Sequence, residues 1–142
     1  FDNEHGFANS RARLRMTTLY QVAAANKGIV VGTGNKVEDF GVGFYTKYGD
    51  GGVDISPIAD CNKTEVWELG KELGILKEII DAQPTDGLWD DGRTDEGQLG
   101  FKYSELEEAM ADPKSPHRGQ YEKIRNQNLH KMEPIPVCKI PS

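Results

Sequence analysis

The chain has 142 residues, enough for one domain with a modest core, and its 28% charged and 37% hydrophobic content is ordinary for a soluble globular protein. The formal net charge of -6 disfavours general nucleic-acid binding, which asks for a basic face, but allows a phosphate-bearing small ligand held by local cations. No apolar run reaches membrane-spanning length, no secretory leader is read, and Cys61 and Cys138 are too few for a disulfide framework or zinc site, so a cytoplasmic protein with two free thiols is expected.

In chain order, residues 1–8 read as an irregular entry and residues 9–26 as a helix, with Leu14, Tyr20, Val22 and the alanines 23–25 as apolar surface. Arg11, Arg13 and Arg15 crowd its expected start, where the helix dipole favours anions, so an anion nearby or a solvated basic patch are both open readings. Gly28 reads as the stop signal. Residues 29–31, Ile-Val-Val, read as a short buried strand, followed at once by the small-residue turn Gly32-Thr33-Gly34-Asn35. Strand, turn and helix in this order form the α/β pattern in which ligands sit at strand carboxyl ends. The turn matches neither the dinucleotide fingerprint nor the lysine-bearing phosphate loop.

Residues 44–54, Phe-Tyr-Thr-Lys-Tyr-Gly-Asp-Gly-Gly-Val-Asp, cannot be the interior of a regular element, and the flanking aromatics favour an ordered loop. Asn62 or Asp60 can cap a helix over residues 63–73, in which Val66, Leu69 and Leu73 recur at helical spacing before Gly74. A shorter helix is expected over 76–81. Residues 84–97 read as a mobile loop, and 101–110 as a helix with Ser104 as cap and Glu107 completing a capping box. A proline-punctuated turn at 112–117, a helix at 119–129 and an extended proline-bearing tail at 134–141 complete the chain. Trp67 and Trp89 read as packing residues.

Together, the Gly32–Asn35 turn and the 44–54 block resemble the signature region of NAD synthetases. Residues 9–16 are similar to the arginine-rich helix start of that family. Lys63, residues 84–88 (Pro-Thr-Asp-Gly-Leu), Thr94-Asp95-Glu96 with Leu99-Gly100, and the pair His130-Lys131 resemble further family motifs in the right order. The resemblance implies ATP-dependent amidation of deamido-NAD to NAD: the carboxylate is adenylated, pyrophosphate leaves, ammonia attacks, and AMP is released. Little side-chain covalent chemistry is then needed, because positioning and charge neutralisation carry such a reaction.

Residue by residue, the resemblance implies that Arg13, Lys47, Asp54, His130 and Lys131 bind deamido-NAD and that Thr33, Lys63 and Thr85 bind ATP. Glu38 would be the magnesium ligand. One extra residue stands between Glu38 and the Thr46-Lys47-Tyr48 block, so Asp39 is the alternative; both offer the oxygen donors that magnesium takes. Asp50 is left outside the site as a turn residue. The implied fold is α/β, a partial doubly wound parallel sheet with flanking helices of the adenine-nucleotide α-hydrolase, Rossmann-like type. The whole chain, residues 1–142, would be the C-terminal portion of a synthetase domain, without the N-terminal half that carries the pyrophosphate loop. A homodimer, magnesium and ATP are expected, and the chain alone is expected to be poorly active. Two alternatives stay open: another adenylating ATP-pyrophosphatase, GMP-synthetase-like or tRNA-modifying, or a non-catalytic nucleotide-binding or dimerisation module.

Overall fold

The computed structural model describes residues 3–141. Phe1 and Asp2, part of the expected irregular entry, lie outside the described residues, as does Ser142. The remainder of that entry is helical. Helix α1 runs Glu4–Ala25, because the Asn3 side chain caps it by accepting from Gly6 N at 2.8 Å. Glu4 occupies its first turn, where the dipole favours an acid. Arg11, Arg13 and Arg15 therefore lie in the helix interior, and the expectation that they oppose the dipole fails. At the other end Lys27, not a glycine, takes the left-handed conformation (φ 53°). Gly28 N then donates to Ala23 O at 2.8 Å and Lys27 N to Ala24 O at 3.3 Å, the paired bonds of a Schellman end.

The expected parallel sheet is not formed. Residues 29–31 and 53–55 lie side by side, but only one parallel bridge, Val31 with Ile55, joins them, and no strand is present among the described residues. Parallel ladders persist where both faces are buried and several strands share the bonding. Here Val30 is buried while Ile29 is 60% and Val31 52% exposed, so a single rung is all this pair supports. The partial doubly wound, Rossmann-like reading is corrected accordingly: the described chain is helical, with long ordered loops.

After the Gly32–Asn35 turn comes a π-helix, Lys36–Val42, started by buried Asn35, whose side chain accepts from Val37 N at 3.0 Å and Glu38 N at 3.1 Å. The extra residue that the resemblance implies falls between Glu38 and Thr46, in or beside this segment. The wider winding of the π-helix brings Val37 and Val42, five positions apart, into the same core. The last carbonyls are bonded by side chains of the final helix α6, Arg118–Met132. Arg125 donates to Phe40 O and, at 3.0 Å, to Gly41 O; Asn128 donates to Val42 O at 2.9 Å; Lys131 donates to Gly43 O at 2.8 Å.

Helices α2 (Lys63–Glu72), α3 (Lys77–Ile80), α4 (Asp95–Leu99) and α5 (Tyr103–Ala111) lie between them. Asn62 starts α2 and Gly74 ends it at φ 69°, as expected. The expected cap at Ser104 is replaced by one residue pair earlier: Lys102 N donates to Glu105 Oε2 at 2.8 Å. Glu107 instead ties α5 to α2, accepting from Thr64 N at 3.0 Å and Thr64 Oγ1 at 2.7 Å. The core joins the π-helix, α5 and α6 through Val37, Val42, Phe101, Tyr103, Leu106, Ala109 and Tyr121, with Trp67 packed at its edge. No described helix is long and apolar enough to cross a membrane.

Candidate nucleotide site

A cavity of about 470 Å³ opens where α1, the Gly32–Asn35 turn, the π-helix, the start of α2 and the 84–88 loop meet. Its wall contains Thr33, Lys63 and Thr85, the whole ATP set read from the sequence, together with both candidate metal ligands, Glu38 and Asp39. These five residues span more than fifty positions of sequence, and the fold brings them to one wall. The Asp39 carboxylate lies against Gly34, so a Cβ at that position would push this side chain aside. Gly49 is required: a Cβ there would stand 2.8 Å from Ala12 Cβ and prevent the glycine-rich loop from lying on α1.

Glu38 is the better-held carboxylate. Its Oε1 accepts from Lys63 Nζ at 3.0 Å and lies 2.5 Å from the Tyr103 hydroxyl. The same hydroxyl stands 3.1 Å from Asp95 Oδ2. A phenol carries one proton, so the shorter contact to Glu38 takes it. Burial, then the charges and hydrogen bonds of Glu38 and Asp95, push the Tyr103 phenol well above its ordinary range. Asp95 is only 6% exposed and its Oδ1 has no partner among the described residues. Burial raises its carboxyl pKa, against the lowering contact from Tyr103.

Asp39 makes no hydrogen bond through its side chain among the described residues. Burial raises its pKa to about 6, with the charges of Glu38 and Asp50 acting in the same direction. No cluster of three His, Cys, Asp or Glu residues suited to a metal occurs among the described residues. The donor set nevertheless fits magnesium, which is commonly held by one or two carboxylates with phosphate oxygens and waters completing its shell. Glu38 has one oxygen free for it, and Asp39 adds hard oxygen donors at the next position.

The residues assigned to deamido-NAD are not in this wall. Four of them gather at a neighbouring edge, joined through backbone oxygens: Arg13 Nε donates to Lys47 O at 3.2 Å, Lys47 Nζ to His130 O at 2.5 Å, and Lys131 Nζ to Tyr45 O at 2.7 Å. Desolvation lowers the Lys131 pKa, with Asp50 pulling it back. Asp54 does not join them. Its carboxylate accepts from Val30 N at 2.7 Å and Tyr20 Oη at 3.2 Å, tying the extended segment to α1.

A second cavity of about 280 Å³ lies between the two groups and is lined by Lys131, Tyr45, His5 and Gln98. Phe44, Asp50, Asp86 and Leu88 line both cavities. Asp50, set aside in the sequence as a turn residue, holds its turn by accepting from Thr46 N at 2.8 Å and also faces both spaces. The 84–97 segment, expected to be mobile, is tied down: Arg11 donates to Leu88 O at 2.7 Å, Arg15 to Gly87 O at 3.0 Å, and Asp86 accepts from Leu88 N, Trp89 Nε1 and Gln98 Nε2. Sequence reasoning also missed Tyr103. Its only signal was an aromatic residue shortly after an acidic turn.

Comparison with known proteins bears directly on this arrangement. The family model described as NAD synthase matches residues 2–139. The chain is 44% identical over 135 residues to the NH(3)-dependent NAD(+) synthetase of Alkaliphilus oremlandii, covering 94% of this chain and 53% of that protein. It is 42% identical over 139 residues to that of Archaeoglobus fulgidus, covering 94% of this chain and 56% of the relative. The chain thus spans about half the length of the curated relatives it matches. Among solved structures, the NMN synthetase from Francisella tularensis superposes with a TM-score of 0.88 at 35% identity, covering 99% of this chain and 59% of that one. The NH3-dependent NAD synthetase from Campylobacter jejuni shares the fold at a TM-score of 0.67 and 24% identity, over 92% of this chain and 54% of that one. With a family match that runs nearly end to end, the chain belongs to the NAD synthase family.

Proposed function

We propose that this chain is the C-terminal part of a ligase that uses ATP and ammonia to amidate deamido-NAD to NAD. The observation that carries the reading is the convergence of Thr33, Lys63, Thr85 and Glu38 on a cavity of about 470 Å³, a size suited to a small-molecule ligand. The names of the relatives, NH(3)-dependent NAD(+) synthetases, support ammonia as the nitrogen source.

In this reading the substrate carboxylate attacks the α-phosphorus of ATP, pyrophosphate leaves, and ammonia displaces AMP from the resulting mixed anhydride with loss of a proton. Thr33 and Thr85 offer hydroxyls to the nucleotide. Lys63 supplies a positive charge where negative charge accumulates, and moves it between Glu38 and phosphate oxygens as the nucleotide enters. Magnesium, held by Glu38 with Asp39 as the alternative, neutralises phosphate charge when bound. Arg13, Lys47, His130 and Lys131 form the edge assigned to deamido-NAD. Asp54 keeps that assignment only if it leaves its bonds to Val30 and Tyr20. The N-terminal pyrophosphate-loop half is proposed to lie outside residues 1–142, and exposed apolar side chains on α1, Leu14, Leu19 and Val22, support the expected homodimer.

A second reading is favoured by the NMN synthetase likeness, the higher of the two TM-scores quoted: the acceptor is the mononucleotide acid and the product is NMN. The test supplies the whole protein with magnesium-ATP, ammonium and either acid. NAD and AMP in equal amounts from deamido-NAD is the expected result. Preference for the mononucleotide acid selects the second reading, and no amide from either acid with ammonium or glutamine overturns both.

A further inference from the structure

Three donors and acceptors around Glu38 do something the family assignment does not require. Lys63 opens α2 and Tyr103 opens α5, and both address the same oxygen, Oε1, from different helices. Oε2 has no hydrogen-bond partner among the described residues. A carboxylate engaged twice on one oxygen cannot swivel freely, so its other oxygen is held in one direction.

Tyr103 is fixed in turn. It is 1% exposed, its ring stands edge-on to Trp67 at 6.2 Å, and its backbone N donates to Glu96 Oε1 at 3.0 Å. Behind its hydroxyl lies Asp95, 6% exposed, with Oδ2 at 3.1 Å and Oδ1 unpartnered while the residue lines the cavity. A phenylalanine would fill the same space without burying a hydroxyl against two carboxylates, and a half-satisfied buried carboxylate is unfavourable. Packing alone gives no reason for either group.

We propose that Tyr103 is a positioning residue whose hydroxyl aims the free oxygen of Glu38 at the divalent cation accompanying the nucleotide. The inference rests on the reading of Glu38 as metal ligand and goes beyond it by naming what orients that ligand. It predicts a loss of nucleotide affinity that depends on the metal, since the Tyr103 hydroxyl touches the carboxylate and not the nucleotide itself.

The experiment compares binding of manganese-ATP, followed by water-proton relaxation, with binding of metal-free ATP in EDTA, in the whole protein. Tyr103→Phe keeps the ring and its edge contact with Trp67. It should weaken manganese-ATP about tenfold, the scale found for groups that orient metal ligands, and leave metal-free ATP unchanged. Equal losses with and without metal make Tyr103 a packing residue and overturn the proposal. Glu38→Gln separates the two layers. If it has no metal-dependent effect, the reading of Glu38 as ligand is wrong. If it has one and Tyr103→Phe has none, the positioning role alone is wrong. Should Tyr103→Phe fail to fold, Tyr103→Leu, which also removes the hydroxyl, must show the same metal-dependent loss; its absence overturns the proposal.

Discussion

Lys63 and Glu38 meet at 3.0 Å with side chains only 18% and 14% exposed, so each relieves the other of a poorly solvated charge. Breaking such a pair from one side leaves the partner charged and unmatched, at a cost on the order of 3 kcal/mol. Lys63→Met should therefore lower the urea midpoint markedly as well as weakening ATP, whereas a variant of a purely ligand-facing lysine would leave stability alone. Asp39 behaves differently, because its raised pKa of about 6 means the folded state resists its ionisation. The folded protein binds more protons than the unfolded chain between the ordinary carboxylate range and about pH 6, so stability falls as pH rises through that window. In EDTA, Asp39→Asn should flatten this part of the urea-midpoint profile and raise stability at pH 7; an unchanged slope would show that Asp39 is not desolvated. Neither behaviour is visible in the sequence. The family resemblance names Glu38, Asp39 and Lys63, but whether a carboxylate is paired or stranded depends on helices α2 and α5 arriving from far along the chain.

The helices whose local signals were complete were read correctly. Asn62 and Gly74 bracket α2 because Glu65 Oε2 accepts from Asn62 N at 2.6 Å and a left-handed glycine follows the last turn, both acting within a few residues. The start of α1 was missed because Asn3, a weak-looking cap before a glycine and a histidine, outcompetes the more conspicuous arginines as a boundary marker. The sheet was misread because Ile29-Val30-Val31 has strand composition, and composition does not supply neighbours. The π-helix was not foreseen, and its stabilisation comes from α6: Arg125, Asn128 and Lys131 donate to carbonyls between Phe40 and Gly43. Arg125→Ala should cost about 1 kcal/mol by leaving the partly buried Gly41 carbonyl without a donor, measured by chemical denaturation. Arg11 and Arg15 provide a parallel case on the 84–93 segment. The Arg11→Ala/Arg15→Ala double variant should speed tryptic cleavage after Arg93 several-fold, since local opening governs proteolysis of a folded chain; an unaltered cleavage rate would mean that Asp86 alone holds the segment.

At the scale of the molecule, Leu14, Leu19 and Val22 on α1 and Ile29, Val31 and Ile55 at the single bridge leave apolar side chains in solvent, and Leu19 and Val31 also line the cavity. Scattered apolar exposure is normal, but this much on one helix and one bridge supports the proposal that other protein covers these surfaces. The whole protein should sediment as a dimer, and Leu14→Glu should shift it toward monomer while leaving the helices intact by circular dichroism. The cations tell a second story at this scale. Arg13, Arg15, Lys47, Arg125 and Lys131 all rest on backbone carbonyls, which are dipoles and cancel no charge. In an acidic chain of net charge -6, Arg15 and Lys131 thereby keep whole positive charges on the walls of the two neighbouring cavities, beside the carboxylates of Asp50 and Asp86 that line both. On the function proposed above, phosphate binding needs these cations to outweigh the neighbouring carboxylates and the average repulsion of the molecule. The association rate of manganese-ATP with the whole protein should then drop as salt is added, most steeply below about 0.15 M, where screening is weakest.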